Sequence, residues 1–208
     1  MTQKIILYTM VLVIAGTAGF GSSYFLAGNQ QVPDIAKPVS LMQQASVAAS
    51  GATSAVVDFT MPNLDGSDSR LSDWAGKPRL INFWATWCAP CRREIPLLKD
   101  LQDAQVPDGL QVIGVAFDEL AAVTDYAVEA DFNYPILVGE QEAIGAAAAF
   151  DIELIALPFT LIVTADGRLL NAHVGEVDEG EADEIIRIMN AIETGQMDFE
   201  TAKAALAK

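Results

Sequence analysis

The sequence predicts an α/β domain, a central mixed sheet flanked by helices, preceded by one amino-terminal transmembrane helix. Three observations carry this. Short apolar runs of strand composition, LINFW at 80–84 and LQVIGVAF at 110–117, alternate with amphipathic stretches, the order that builds parallel strands joined by helical crossovers. Two further apolar runs, 159–164 and 169–174, flank Ala165-Asp166-Gly167-Arg168, and Asp-Gly between such runs is the strongest short-range hairpin signal. At the amino end, residues 5–27 contain no charged side chain.

As a helix those 23 residues would rise roughly 34 Å, enough to cross a bilayer core of about 30 Å. Lys4 is the positive flank, and no Lys or Arg follows before Lys37, so the rest of the chain is expected on the outer side. A cleaved signal peptide is the competing reading, because Gly16-Thr17-Ala18 supplies small residues after an apolar run. The uncleaved anchor is preferred, since the apolar stretch continues nine residues beyond Ala18. With no cysteine nearby, a lipid-modified terminus is excluded. Residues 28–55, rich in Gln, Ala, Ser and Gly, read as a tether of about 30 Å mean span. The expected organisation is an anchor at 1–27, a linker at 28–55, a domain at 56–195 and a tail at 196–208.

Within the domain, 80–84 is expected to be a buried strand and CRREIPLLKDLQ a helix starting around the second cysteine. A strand at 110–117 follows, then a helix over 119–132 with Leu120, Val123, Ala127 and Ala130 on one face. A strand at 134–138 and an Ala-rich helix over 141–150 precede the hairpin, and a last helix spans 181–193. The formal charge is −16; Lys4, Lys37 and Asp34 leave residues 1–55 at +1, so the chain beyond Ala55 carries −17. So acidic a surface repels phosphate backbones and anionic lipid headgroups, so no nucleic-acid partner is expected; it reads as a solvated face that maintains solubility, in preference to a docking face for a basic partner.

The only two cysteines are Cys88 and Cys91, in LINFWATWCAPCRREIP. A structural staple, a metal site and a redox couple compete for them. A loop with two intervening residues constrains the unfolded chain little, which disfavours the staple. Structural zinc needs four ligands, and the one other good candidate is the lone His173; copper meets the same shortage. The redox reading fits its surroundings: near a helix amino terminus the free N–H groups and dipole stabilise a Cys88 thiolate. Cys91, on the first turn, is then placed to resolve a mixed disulfide. Pro90 suits a first turn, and Pro96 is expected to kink the helix.

LINFWATWCAPCRREIP resembles the active site of thioredoxin-fold proteins, most closely the membrane-anchored TlpA/ResA/CcmG (DsbE) branch. Trp87 before the first cysteine, Pro96, and Leu157-Pro158 ahead of the strand that leads to Ala165-Asp166-Gly167 all match. The resemblance covers about residues 56–193 and includes a helix-strand-helix insertion before the cis-proline strand. It implies a cis Leu157-Pro158 bond, the one context where a cis peptide is cheap, and a substrate surface made by Trp87, Leu157 and Pro158, with the Leu157 backbone pairing an extended segment. A peroxiredoxin is disfavoured because Cys88 lacks the Pro-x-x-x-Thr-x-x-Cys context. Where thioredoxins proper carry a buried aspartate this chain has Asn82. Glu94 stands where ResA-like proteins carry a glutamate implicated in activity; proton handling at Cys91 and an ordinary first-turn acid remain open for it. Phe159, in place of the family's Thr or Glu, reads as core, and His173 as structural.

The resemblance implies a thiol:disulfide oxidoreductase held by a bacterial inner membrane, its domain on the periplasmic or extracytoplasmic side. It would exchange disulfides with exported proteins, an apocytochrome c among them, and be recycled by a membrane electron donor. No cofactor and no metal are expected. An envelope oxidant or general thiol-repair protein is the alternative within the class, and a redox-inert peptide-binding module the alternative outside it.

Overall fold

The computed structural model describes residues 57–103 and 109–207. Its main sheet has five strands in the order β5-β4-β3-β6-β7, where β3 is Arg79–Trp84, β4 Gln111–Ala116, β5 Ile136–Val138, β6 Phe159–Val163 and β7 Leu169–Val174. β4 runs parallel to β3 and to β5, whereas β6 is antiparallel to β3 and to β7. This is the mixed sheet the sequence predicts, and the Asp-Gly turn joins β6 to β7.

Every residue of β3 and β4 is buried, as expected for central strands covered on both faces. Alternation then divides the core into two layers. Leu80 and Trp84 belong to one, with Ile95 and Leu98 of α1 (Ala89–Asp103) and Ile185 and Ile188 of α4 (Glu179–Glu193). Ile81 and Phe83 face the other, with Ala143 and Ala147 of α3 (Glu140–Ala148). The insertion is α2 (Leu120–Ala130), β5 and α3, the expected helix-strand-helix. Close approach decides one residue. A methyl group at Gly114 on β4 would lie 2.6 Å from Ile136 Cδ1 and 3.1 Å from Trp84 Nε1.

Two boundaries are refined and two elements are added. α1 begins at Ala89, ahead of Cys91, and continues through Pro96 to Asp103; the proline forgoes one helical hydrogen bond, but flanking packing by Ile95 and Leu98 holds the helix together. The 134–138 strand starts only at Ile136. The stretch read as a tail contains α5 (Phe199–Leu206), capped by Asp198, whose side chain accepts from Thr201 N–H, and tied to β7 where Asn171 Nδ2 donates to the Leu206 carbonyl at 2.8 Å. A hairpin of β1 (Thr60–Pro62) and β2 (Asp68–Arg70), followed by a 3-10 turn at Leu71–Trp74, opens the domain; its signal was the turn-forming Asn63-Leu64-Asp65-Gly66. The expected membrane span and tether lie outside the described residues, among which no helix is long and apolar enough to cross a membrane.

Gly114→Ala is expected to destabilise the domain by about 1–3 kcal/mol through overpacking at Ile136 and Trp84. Urea unfolding of the two proteins side by side measures this.

Candidate active site

β3 delivers the chain to the carboxyl edge of the sheet, and the turn at 85–88 passes it to α1. Cys88 N–H donates to the Ala85 carbonyl at 3.1 Å, and Phe117 N–H to the Trp84 carbonyl at 2.8 Å, so the turn is held from within and from the end of β4. Cys88 immediately precedes the first residue of α1, and its sulfur accepts the Cys91 N–H at 3.3 Å, the position of a helix-capping side chain. The two sulfurs are joined in a disulfide of 2.02 Å. Cys88 retains 6% of its surface and Cys91 none, which leaves Cys88 the sulfur open to a partner. Trp87 beside it is 65% exposed.

Cys91, Glu94, Ile95 and Leu98 are the buried residues of the first turns of α1, spaced i, i+3, i+4, i+7 as an apolar stripe is. Glu94 is thus a carboxyl group at a core position, 2% exposed. It is fully engaged: Asn82 Nδ2 donates to Oε1 at 2.8 Å, and the Val177 N–H to Oε2 at 2.9 Å. Asn82 donates as well to Thr160 Oγ1 at 3.0 Å, its partner across the β3–β6 register. Asn82 and Glu94, read separately in the sequence, are one network beneath the couple. Burial pushes the Glu94 carboxyl up to about 7; the bonds from Val177 and Asn82 oppose this, and the Glu176 carboxylate adds to it. Above the network, Arg93 pairs with Glu176 at 2.5 Å, a second and solvent-exposed tie between α1 and the loop before α4.

The Leu157-Pro158 bond is cis, as the resemblance implies, and the Pro158 carbonyl accepts the Gly175 N–H at 2.9 Å. Leu157 and Trp87 line a shared groove of about 220 Å³ with Phe117, Ile144, Leu154 and Ile155. Ile155 is 74% and Ile144 43% exposed; α3 and the segment after it supply this apolar wall, which sequence reasoning missed because Ile144 is a single large apolar residue in an Ala-rich helix and Leu154-Ile155 fall outside any regular element. Asp118, just past β4, was also missed. It is a buried acid beside Thr86, and the FDE at 117–119 gives no motif. Phe159 is core, its ring 5.5 Å from that of Phe83. His173 lies within β7, 3.7 Å from Glu181, far in sequence and element from the couple.

Glu94 has a folded-state value of about 7 against 4.5 ordinarily, so folding favours its protonated form. That contribution is full below pH 4.5 and is lost as the pH rises through 7. Wild-type stability is therefore expected to fall across this window by on the order of a few kcal/mol, and Glu94→Gln to lose that slope. Urea unfolding at a series of pH values, disulfide intact, measures it; equal slopes in both proteins would refute the assignment.

The model of the AhpC/TSA family matches residues 52–172. The thioredoxin-like protein YneN of Bacillus subtilis is 35% identical over 131 residues, 61% of this chain and 74% of the relative. The thiol-disulfide oxidoreductase ResA of Bacillus thuringiensis is 27% identical over 131 residues, 62% of this chain and 73% of that protein. Among solved structures, a thiol:disulfide interchange protein of the thioredoxin family from Chlorobium tepidum superposes with a TM-score of 0.58 at 26% identity, covering 65% of this chain and 94% of that one. StoA from Bacillus subtilis, at 20% identity and a TM-score of 0.51 over 64% of this chain and 96% of its own, shares the fold. The chain belongs to the AhpC/TSA family, and with its Cys88–Cys91 disulfide it is a thiol-disulfide oxidoreductase of the ResA/DsbE type.

Proposed function

We propose that the protein reduces disulfides of exported proteins through Cys88, with Cys91 as the resolving thiol, on the outer face of a bacterial inner membrane. The observation that carries the chemistry is the disulfide at the amino end of α1, one sulfur open and the other enclosed. In the reduced protein the helix end stabilises the Cys88 thiolate, which attacks one sulfur of a partner disulfide and expels the other as a thiolate that takes up a proton. Cys91 then loses its proton and attacks Cys88 Sγ, forming the Cys88–Cys91 bond and releasing the partner's second thiol. Two electrons have passed to the partner, and a dithiol donor is needed to restore them.

Glu94 is the proton acceptor in this scheme. It sits one turn beyond Cys91 on the same buried stripe, and a carboxyl near 7 can exchange a proton at neutral pH where an ordinary one cannot. Trp87, Leu157 and Pro158 form the substrate surface, extended by Ile144, Leu154 and Ile155; such a wall suits an extended segment with a large apolar side chain beside its cysteine. The uncharged run at 5–27 and the tether at 28–55 support the membrane-held, extracytoplasmic assignment. The direction of electron flow and an apocytochrome c substrate, with a membrane donor for recycling, rest on the resemblance to the ResA/DsbE branch.

Cys91→Ser is expected to accumulate a mixed disulfide between Cys88 and the partner in the native compartment, identified by mass; capture through any other residue, or none, contradicts the assignment. Ile155→Glu is expected to slow reduction of an apolar-flanked peptide disulfide about tenfold, the scale of one packed contact, while leaving glutathione disulfide reduction unchanged.

A further inference from the structure

The described residues bury two carboxylates, Glu94 and Asp118, and the second has no part in the exchange outlined above. Asp118 Oδ2 accepts the Thr86 N–H at 2.9 Å and the Thr86 hydroxyl at 2.6 Å, and Oδ1 accepts the Glu119 N–H at 2.9 Å. All three donors are neutral, and among the described residues no Lys, Arg or His forms an ion pair with it. Thr86 is two residues ahead of Cys88 in the turn whose ends are already fixed by the Phe117–Trp84 and Cys88–Ala85 bonds. A single acid at the end of β4 thus completes the clamp on the segment that presents Trp87 and Cys88, and it sets a carboxylate that is hydrogen-bonded but not ion-paired against that segment.

We propose that Asp118 is a positioning residue that also sets the redox balance of the couple: it pins the Thr86 turn, and its charge disfavours the Cys88 thiolate, holding the pair toward the disulfide and making it more reducing. The sign follows from electrostatics. A like charge in a desolvated setting raises the energy of the thiolate, and whatever destabilises the thiolate destabilises the reduced form, so the dithiol gives up its electrons more readily. The Thr86 hydroxyl bond partly offsets that charge.

The inference rests on Cys88 being the attacking thiol, and alkylation of the reduced wild type at neutral pH, located by mass, checks that separately: modification at Cys91 first would fail the earlier assignment and leave the effect of Asp118 on the couple still measurable. The test is the equilibrium between protein dithiol plus glutathione disulfide and protein disulfide plus two glutathione thiols. Asp118→Asn keeps an acceptor for the Thr86 N–H and removes the charge; it should shift the equilibrium toward the dithiol by roughly threefold to tenfold, the scale of one nearby charge, and speed alkylation of Cys88. Thr86→Val keeps the charge and removes the hydroxyl that offsets it; it should move the equilibrium the opposite way, by roughly twofold. Asp118→Glu, with altered reach but the charge retained, should stay near wild type. A role confined to structure would change stability alike in both redox forms and leave the equilibrium in place. Asp118→Asn at the wild-type value, or a shift of the same sign in Asp118→Asn and Thr86→Val, overturns the proposal; if Asp118→Asn does not fold, Thr86→Val alone decides by its sign.

Discussion

A carboxyl group placed at a core position of a helix governs how this active site is built. Glu94 occupies the apolar stripe of α1, and an unpaired carboxyl there would be strongly destabilising. Its two oxygens are satisfied by Asn82 from β3 and by the backbone of Val177 from the loop before α4. Three separated parts of the chain are therefore obliged to meet at Glu94, three residues along α1 from Cys91. The compromise is visible in its protonation: two hydrogen bonds hold the group in place, and burial still pushes it up to about 7. The same compromise makes it useful, since a group that changes charge near neutrality can serve a thiol that must do so too.

Around that point the fold separates the tasks of the two sulfurs. β3 ends at the sheet edge, the turn is pinned by β4, and α1 begins one residue after Cys88. Cys88 receives the helix end and a thin opening to solvent, while Cys91 is fully buried, on the same stripe of α1 as Glu94. On the proposal made for Asp118, its carboxylate, bonded to Thr86 of the turn, opposes the helix dipole at Cys88, so the couple is set by competing fields rather than by the dipole alone. On the outer side, Trp87 and the isoleucines of the insertion offer apolar surface on a protein that is otherwise strongly acidic, and it is this contrast that marks the groove as a place for a partner.

What was legible in the sequence was local or periodic. The strand LINFW, the couple at a helix start and the Asp-Gly hairpin can each be read from a few adjacent residues, and the cis Leu157-Pro158 bond followed from resemblance. Glu94 was singled out by resemblance, but its bonding was not legible, because Asn82 and Val177 are brought to it only by the sheet register and the docking of α4. Asp118 and the Ile144–Ile155 wall stayed hidden for the same reason. The short β1–β2 hairpin and α5 were passed over since three-residue strands and an eight-residue helix carry too few periods to stand out, and tertiary contacts such as Asn171 to Leu206 supply what propensity does not.

The central claim is that chemistry runs through Cys88. It is tested most directly by reduction of insulin disulfides with a dithiol donor, comparing wild type with Cys88→Ser at equal concentration and confirming by circular dichroism that both are folded. The account predicts that the variant falls to the uncatalysed rate of the donor alone. A Cys88→Ser protein that reduces insulin as fast as wild type would contradict it.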